Sequence, residues 1–141
     1  MNNKTKWQHF HHVADIGIRG FGETPEQAFV QAAIAMTAVI TEPQSVAVNA
    51  CIDLEGEAMD LEYLFVDWLN ALVYEMATRN MLFSQFDVSI ADGHLKARVC
   101  GETVNREKHQ PAVEVKGATL TELQVREQKD GGWLAQCIVD V

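Results

Sequence analysis

A chain of 141 residues, 48% of them hydrophobic and 22% charged, suits one globular domain and is too apolar for a disordered one. Its 20 acidic residues against 11 Lys and Arg give a net charge of -9 with neutral histidines. That balance excludes a protein that grips phosphate backbones by itself, because such binding rests on Lys and Arg, and no strong direct nucleic-acid binding is expected. A basic protein partner or a divalent cation is favoured instead. No apolar run approaches the ~20 residues of a membrane-spanning helix, and residues 1–8 hold no signal-peptide core, so a soluble cytoplasmic protein without membrane contact is expected. Cys51, Cys100 and Cys137 lie in apolar, strand-like surroundings without knuckle or CxxC spacing, and read as buried reduced thiols.

Residues 11–21 alternate like a half-buried strand, with Asp15 inside the pattern. In one extended strand His11 and Asp15 share a face and His12 takes the other. Thr24-Pro25-Glu26-Gln27 is a helix start, with Thr as cap, Pro at the first helical position and Gln placed to close a capping box. Phe29, Ala32, Ala33, Met36 and Ile40 then recur at helical spacing, predicting a helix to about Thr41. Pro43 ends it, and residues 45–54 read as a strand. Asp60 caps a second helix whose Leu61, Leu64, Phe65, Trp68, Leu72 and Met76 form one apolar face, leaving Asp67 and Asn70 on a solvated face. Residues 83–91 and 94–101 form a hairpin through the Asp92-Gly93 dipeptide. A polar loop, 102–111, carries Lys108 and His109. Residues 113–127 alternate again, with Lys116 among them, and Lys129-Asp130-Gly131-Gly132 turns the chain into a final strand, 133–141. Strand, helix, strand, helix and four strands predict a single α+β domain over 1–141. Its form would be two-layer, a mostly antiparallel sheet with two main helices packed on one face.

The chemically capable residues are few. Gly17, Gly20 and Gly22 have the wrong spacing for a dinucleotide fingerprint, no Ser or Cys stands in a nucleophile elbow, and no catalytic residue is assigned. His9, His11 and His12 read as a solvated lead-in to a strand rather than a zinc site. Asp15 and Asp140 are the unusual pair, because Asp has low strand propensity and its charge is costly to desolvate. If the two end strands are neighbours, these carboxylates and the terminal carboxyl group of Val141 suit calcium, magnesium or manganese, which take oxygen ligands. The same pair admits two other readings: a stand-alone metal-dependent phosphohydrolase, with a thin catalytic inventory, and a metal-free interaction domain with solvated aspartates.

Residues His12-Val13-Ala14-Asp15-Ile16-Gly17-Ile18-Arg19 and Gly22-Glu23-Thr24-Pro25-Glu26-Gln27-Ala28-Phe29 resemble the opening of the archease family. The resemblance continues through residues 60–70 and 83–86, Gly101-Glu102, Lys108-His109, Glu114-Val115-Lys116-Gly117-Ala118-Thr119 and Ile138-Val139-Asp140-Val141, covering nearly the whole chain in order. Val13 stands where the family often has Thr, and Gly117 where Ala is common. The resemblance implies a protein cofactor of RtcB-type RNA ligases in tRNA splicing and RNA repair, promoting ligase guanylylation and multiple turnover rather than acting as an enzyme itself. It implies a divalent cation, often calcium, with Mg2+ and Mn2+ as alternatives, held by Asp15, Asp140 and a main-chain oxygen of Val141. It also implies a functional lysine, for which Lys116 is the better match and Lys108 the weaker, with His12 as a further partner-contacting residue.

Overall fold

The computed structural model describes residues 5–12 and 15–141. Strands β1 (Lys6–His12) and β2 (Asp15–Gly22) precede helix α1 (Pro25–Ile40), a 3-10 turn (Pro43–Ser45) and β3 (Ala50–Glu57). Helix α2 (Leu61–Arg79) leads into the hairpin of β4 (Met81–Ala91) and β5 (His94–Thr103). A single-turn helix, α3 (Arg106–His109), then precedes β6 (Gly117–Ala118), β7 (Gln124–Glu127) and β8 (Trp133–Asp140). The α+β class and the antiparallel pairing match expectation, but the strands divide between two sheets. One runs β1-β2-β8-β6, with β7 also on β8; the other runs β3-β5-β4.

Both helices start where their caps predict. Thr24 accepts the Gln27 N–H, and the Gln27 side chain reaches back to the Glu23 N–H at 2.8 Å, one residue before the cap. Asp60 caps α2 by accepting the Tyr63 N–H at 2.9 Å, and Asn80 ends it in a left-handed conformation. At the hairpin, Asp92 (φ 51°) and Gly93 (φ 77°) take the positive angles that a two-residue turn demands.

Helix α1 lies against β2, where Gly20 lets the backbones meet: a Cβ there would run into Ala28 O and Ala32 N. Its other side packs on β4, and Thr37 donates its hydroxyl to the Phe83 carbonyl at 2.8 Å. The α2 stripe is core as predicted, with Leu64, Trp68 and Leu72 at most 2% exposed. Trp68 stands edge-on to Phe86 and donates its indole N–H to Phe29 O at 3.1 Å. No described helix is long and apolar enough to cross a membrane.

Two expectations fail. Residues 11–21 are not one strand: His12 pairs with Asp15 in the β1–β2 register, so the chain reverses between them and His12, not His11, shares the Asp15 face. Val13, part of that motif, lies outside the described residues. The thiols are not all free either. Cys51 and Cys100 face each other across β3 and β5, their Cα atoms 4.0 Å apart, and form a disulfide. Spacing along the chain could not reveal a pair that only strand register creates. Cys137 alone is a buried free thiol, its pKa pushed up to about 12 by burial.

A candidate site at the end of the β2–β8 ladder

Strands β2 and β8 pair from Gly22 opposite Trp133 to Ile16 opposite Val139. The next residue on each strand is Asp15, the first of β2, and Asp140, the last of β8, and extending the register by one step would bring them opposite each other. Directly opposed residues project to one face of a sheet. That face is the one turned away from α1, because the intervening Ile16, Ile18, Cys137 and Val139 belong to the core. Asp15 is half-buried and Asp140 exposed, and neither joins an ion pair among the described residues.

The neighbouring strands complete a row. On one side stands His12, opposite Asp15, with its Nδ1 buried and unpartnered. On the other stands Gly117, opposite Asp140, and Lys116 donates its backbone N–H to Asp140 O at 2.7 Å. The Lys116 side chain is exposed and outside every ion pair of the described residues, while Val141 is half-buried. Further along the same face Arg19 ties the sheet together. Its guanidinium donates to Gln136 at 2.8 Å and Gln8 at 3.1 Å and lies 4.4 Å from the centre of the Phe10 ring.

Lys108 stands elsewhere and is occupied. Its ammonium meets Glu102 at 2.6 Å, and the same carboxylate accepts the Ala47 N–H at 2.8 Å and the His109 Nε2–H at 2.9 Å. The tautomer of His109 follows from its other nitrogen, which accepts the Asn105 N–H at 2.9 Å and so leaves the proton on Nε2. Lys108 first, then Ala47 and His109, hold the Glu102 pKa down to about 2 from an ordinary 4.5. The polar loop expected at 102–111 is therefore a fastened segment, with His109 buried in it. The Glu102–His109 contact had no spacing signal, although Asn105, three residues before Lys108, is a legible cap. Asn70, expected on a solvated face, instead hydrogen-bonds the backbone of Ala118.

The class these features define is an α+β domain whose adjacent strands β2 and β8 carry Asp15 and Asp140 at one end. Among the described residues no group of three or more His, Cys, Asp or Glu could hold a metal ion, so main-chain oxygens and water would complete any coordination.

The Archease protein family (MTH1598/TM1083) matches residues 7–141, and the chain belongs to it. The chain is 38% identical to the protein archease of Pyrococcus furiosus and 37% to that of Thermococcus kodakarensis, covering 96% of this chain and 99% of each relative. Among solved structures it resembles the solution structure of Methanobacterium thermoautotrophicum protein 1598, with a TM-score of 0.78, 28% identity and coverage of 96% of this chain and 98% of that one. The fold also matches the crystal structure of a Thermotoga maritima archease described as a possible chaperone, at a TM-score of 0.61 and 14% identity, over 95% of this chain and 96% of that one.

Proposed function

We propose that this archease-family chain acts in the cytoplasm as a protein cofactor of an RtcB-type RNA ligase, promoting its guanylylation and multiple turnover in tRNA splicing or RNA repair. The place of Asp15 and Asp140 next to the last pair of the β2–β8 ladder supports this reading. Their carboxylates, with a main-chain oxygen of Val141, would hold a divalent cation, Ca2+, Mg2+ or Mn2+. When bound, the cation would supply positive charge and open coordination positions beside the partner's nucleotide. The chain's own part is to present that charge at a rigid sheet end, with the exposed Lys116 ammonium as a contact for the ligase or its nucleotide. The row extends to His12, whose unpartnered Nδ1 leaves it a candidate contact. Lys108, bound into the Glu102 network, is assigned a structural part instead. Net acidity, 20 acidic against 11 basic residues, suits steering toward a basic, RNA-binding enzyme.

The test is guanylylation of an RtcB-type ligase with GTP, divalent metal and catalytic amounts of this protein. Acceleration by the wild type and none by Asp15→Ala is the expected result. Full stimulation by Asp15→Ala would reject metal delivery, and phosphoester turnover by the protein alone would favour a hydrolase.

A further inference from the structure

The segment that presents Lys116 is anchored before it by the buried Val115 and after it by Thr119, whose hydroxyl donates to Ile138 O at 2.8 Å, but its strand is short. Strand β6 is two residues long, Gly117 and Ala118, and it lies at the border of its sheet, paired with β8 alone. Its backbone meets β8 through Lys116 N–H to Asp140 O at 2.7 Å and Thr119 N–H to Ile138 O at 3.0 Å. The backbone groups of Ala118 would face water on the other side, as they do at any sheet edge. They meet Asn70 instead. The Ala118 N–H donates to Asn70 Oδ1 at 2.9 Å, and Asn70 Nδ2 donates to the Ala118 carbonyl at 3.5 Å. A carboxamide offers one acceptor and two donors, so it stands in for the peptide group that a further strand would supply. Helix α2 holds it firmly, since the adjacent Leu69 and the nearby Trp68 and Leu72 are at most 2% exposed.

Gly117 makes the approach close. A Cβ at that position would stand 3.3 Å from Asn70 Oδ1, tighter than ordinary van der Waals contact.

We propose that Asn70 is a positioning residue: it clamps the Lys116–Ala118 segment onto β8 and so fixes Lys116 at the sheet end that carries Asp15 and Asp140. The functional weight of this clamp rests on the role proposed above for Lys116.

Amide hydrogen exchange, followed by NMR on metal-free protein, reads the clamp without any ligase. In Asn70→Leu, which fills similar space without polar atoms, the Lys116, Ala118 and Thr119 amides should exchange roughly three- to tenfold faster. The Leu64 and Leu72 amides should keep their wild-type protection, which shows that α2 is intact. Asn70→Asp retains the acceptor for the Ala118 N–H and should recover most of the Ala118 protection. Unchanged exchange at Lys116 and Thr119 in Asn70→Leu would overturn the proposal, because β6 would then stay in place unaided.

The functional arm compares guanylylation. Asn70→Leu should lower the maximal stimulation while calorimetric metal affinity stays within about twofold of wild type, and Asn70→Asp should restore much of the stimulation. Faster Lys116 exchange together with wild-type stimulation by Lys116→Ala would leave the clamp standing and remove the lysine from the proposed function. Loss of metal affinity in Asn70→Leu to the same degree as loss of stimulation would overturn the assignment to Lys116, since Asn70 would then act through the ion.

Discussion

Asp15 and Asp140 each follow directly on the Ile16–Val139 pair that ends the β2–β8 ladder, and neither has an ion-pair partner among the described residues. Brought opposite each other, two carboxylates would repel while no ion lies between them. Asp15→Ala and Asp140→Ala should therefore lose most divalent-cation affinity by calorimetric titration. In metal-free buffer, both variants should denature at urea concentrations no lower than wild type. A wild-type cation affinity in either variant would exclude that carboxylate from the site.

Trp68 is 2% exposed, stands edge-on to Phe86 and spends its indole N–H on the Phe29 carbonyl. Trp68→Ala should cost roughly 3–5 kcal/mol in chemical denaturation, as a cavity opens and a carbonyl loses its donor. A loss below about 1 kcal/mol would mean that the α2 stripe does not serve as core.

Folding lowers the Glu102 pKa from 4.5 to about 2, so the native state favours the charged carboxylate. The stability it contributes is complete above about pH 4.5 and disappears as the pH falls toward about 2. Glu102→Gln should accordingly lower the urea midpoint near neutral pH, and the gap to wild type should close across that acid window. A gap that stays constant from about pH 6 to about pH 2 would remove Glu102 as the titrating group.

The Cys51–Cys100 disulfide closes a sequence separation of 49 residues. Its removal, by reduction or by Cys51→Ser with Cys100→Ser, should cost roughly 2–4 kcal/mol. Thiol labelling of the unreduced native protein should be slow, because only Cys137 is free and burial keeps its thiol protonated. Rapid labelling of two further thiols without reductant would contradict the disulfide.

Local signals are legible where local physics decides. Thr24, Asp60 and the Asp92-Gly93 turn sit where cap and turn chemistry puts them, and the 3.6-residue stripe of α2 is buried. Strand register escaped the sequence, because pairing partners are chosen by packing between distant segments. Alternation from residue 11 to 21 could not show the chain reversing between His12 and Asp15, nor could it bring Cys51 opposite Cys100. Alternation over residues 113–127 likewise concealed a break between β6 and β7. For the candidate site, Asp15 and Asp140 stood out because carboxylates are rare in strand patterns. Asn70 read as solvated and His109 as part of a polar loop, since their partners are backbone atoms and a glutamate whose proximity only folding creates.

The contact between Gly20 and α1 reaches further than packing. A slip of β2 by one residue would put Arg19 or Phe21 where main-chain atoms of Ala28 and Ala32 leave no room for a side chain. The same slip would turn Asp15 toward the helix and Ile16 outward. The alignment of two charged groups is thus dictated by a missing methyl five positions away, at a residue with no chemistry of its own. Gly20→Ala would therefore shift the register of β2 against β8, and move the Asp15 carboxylate without touching it.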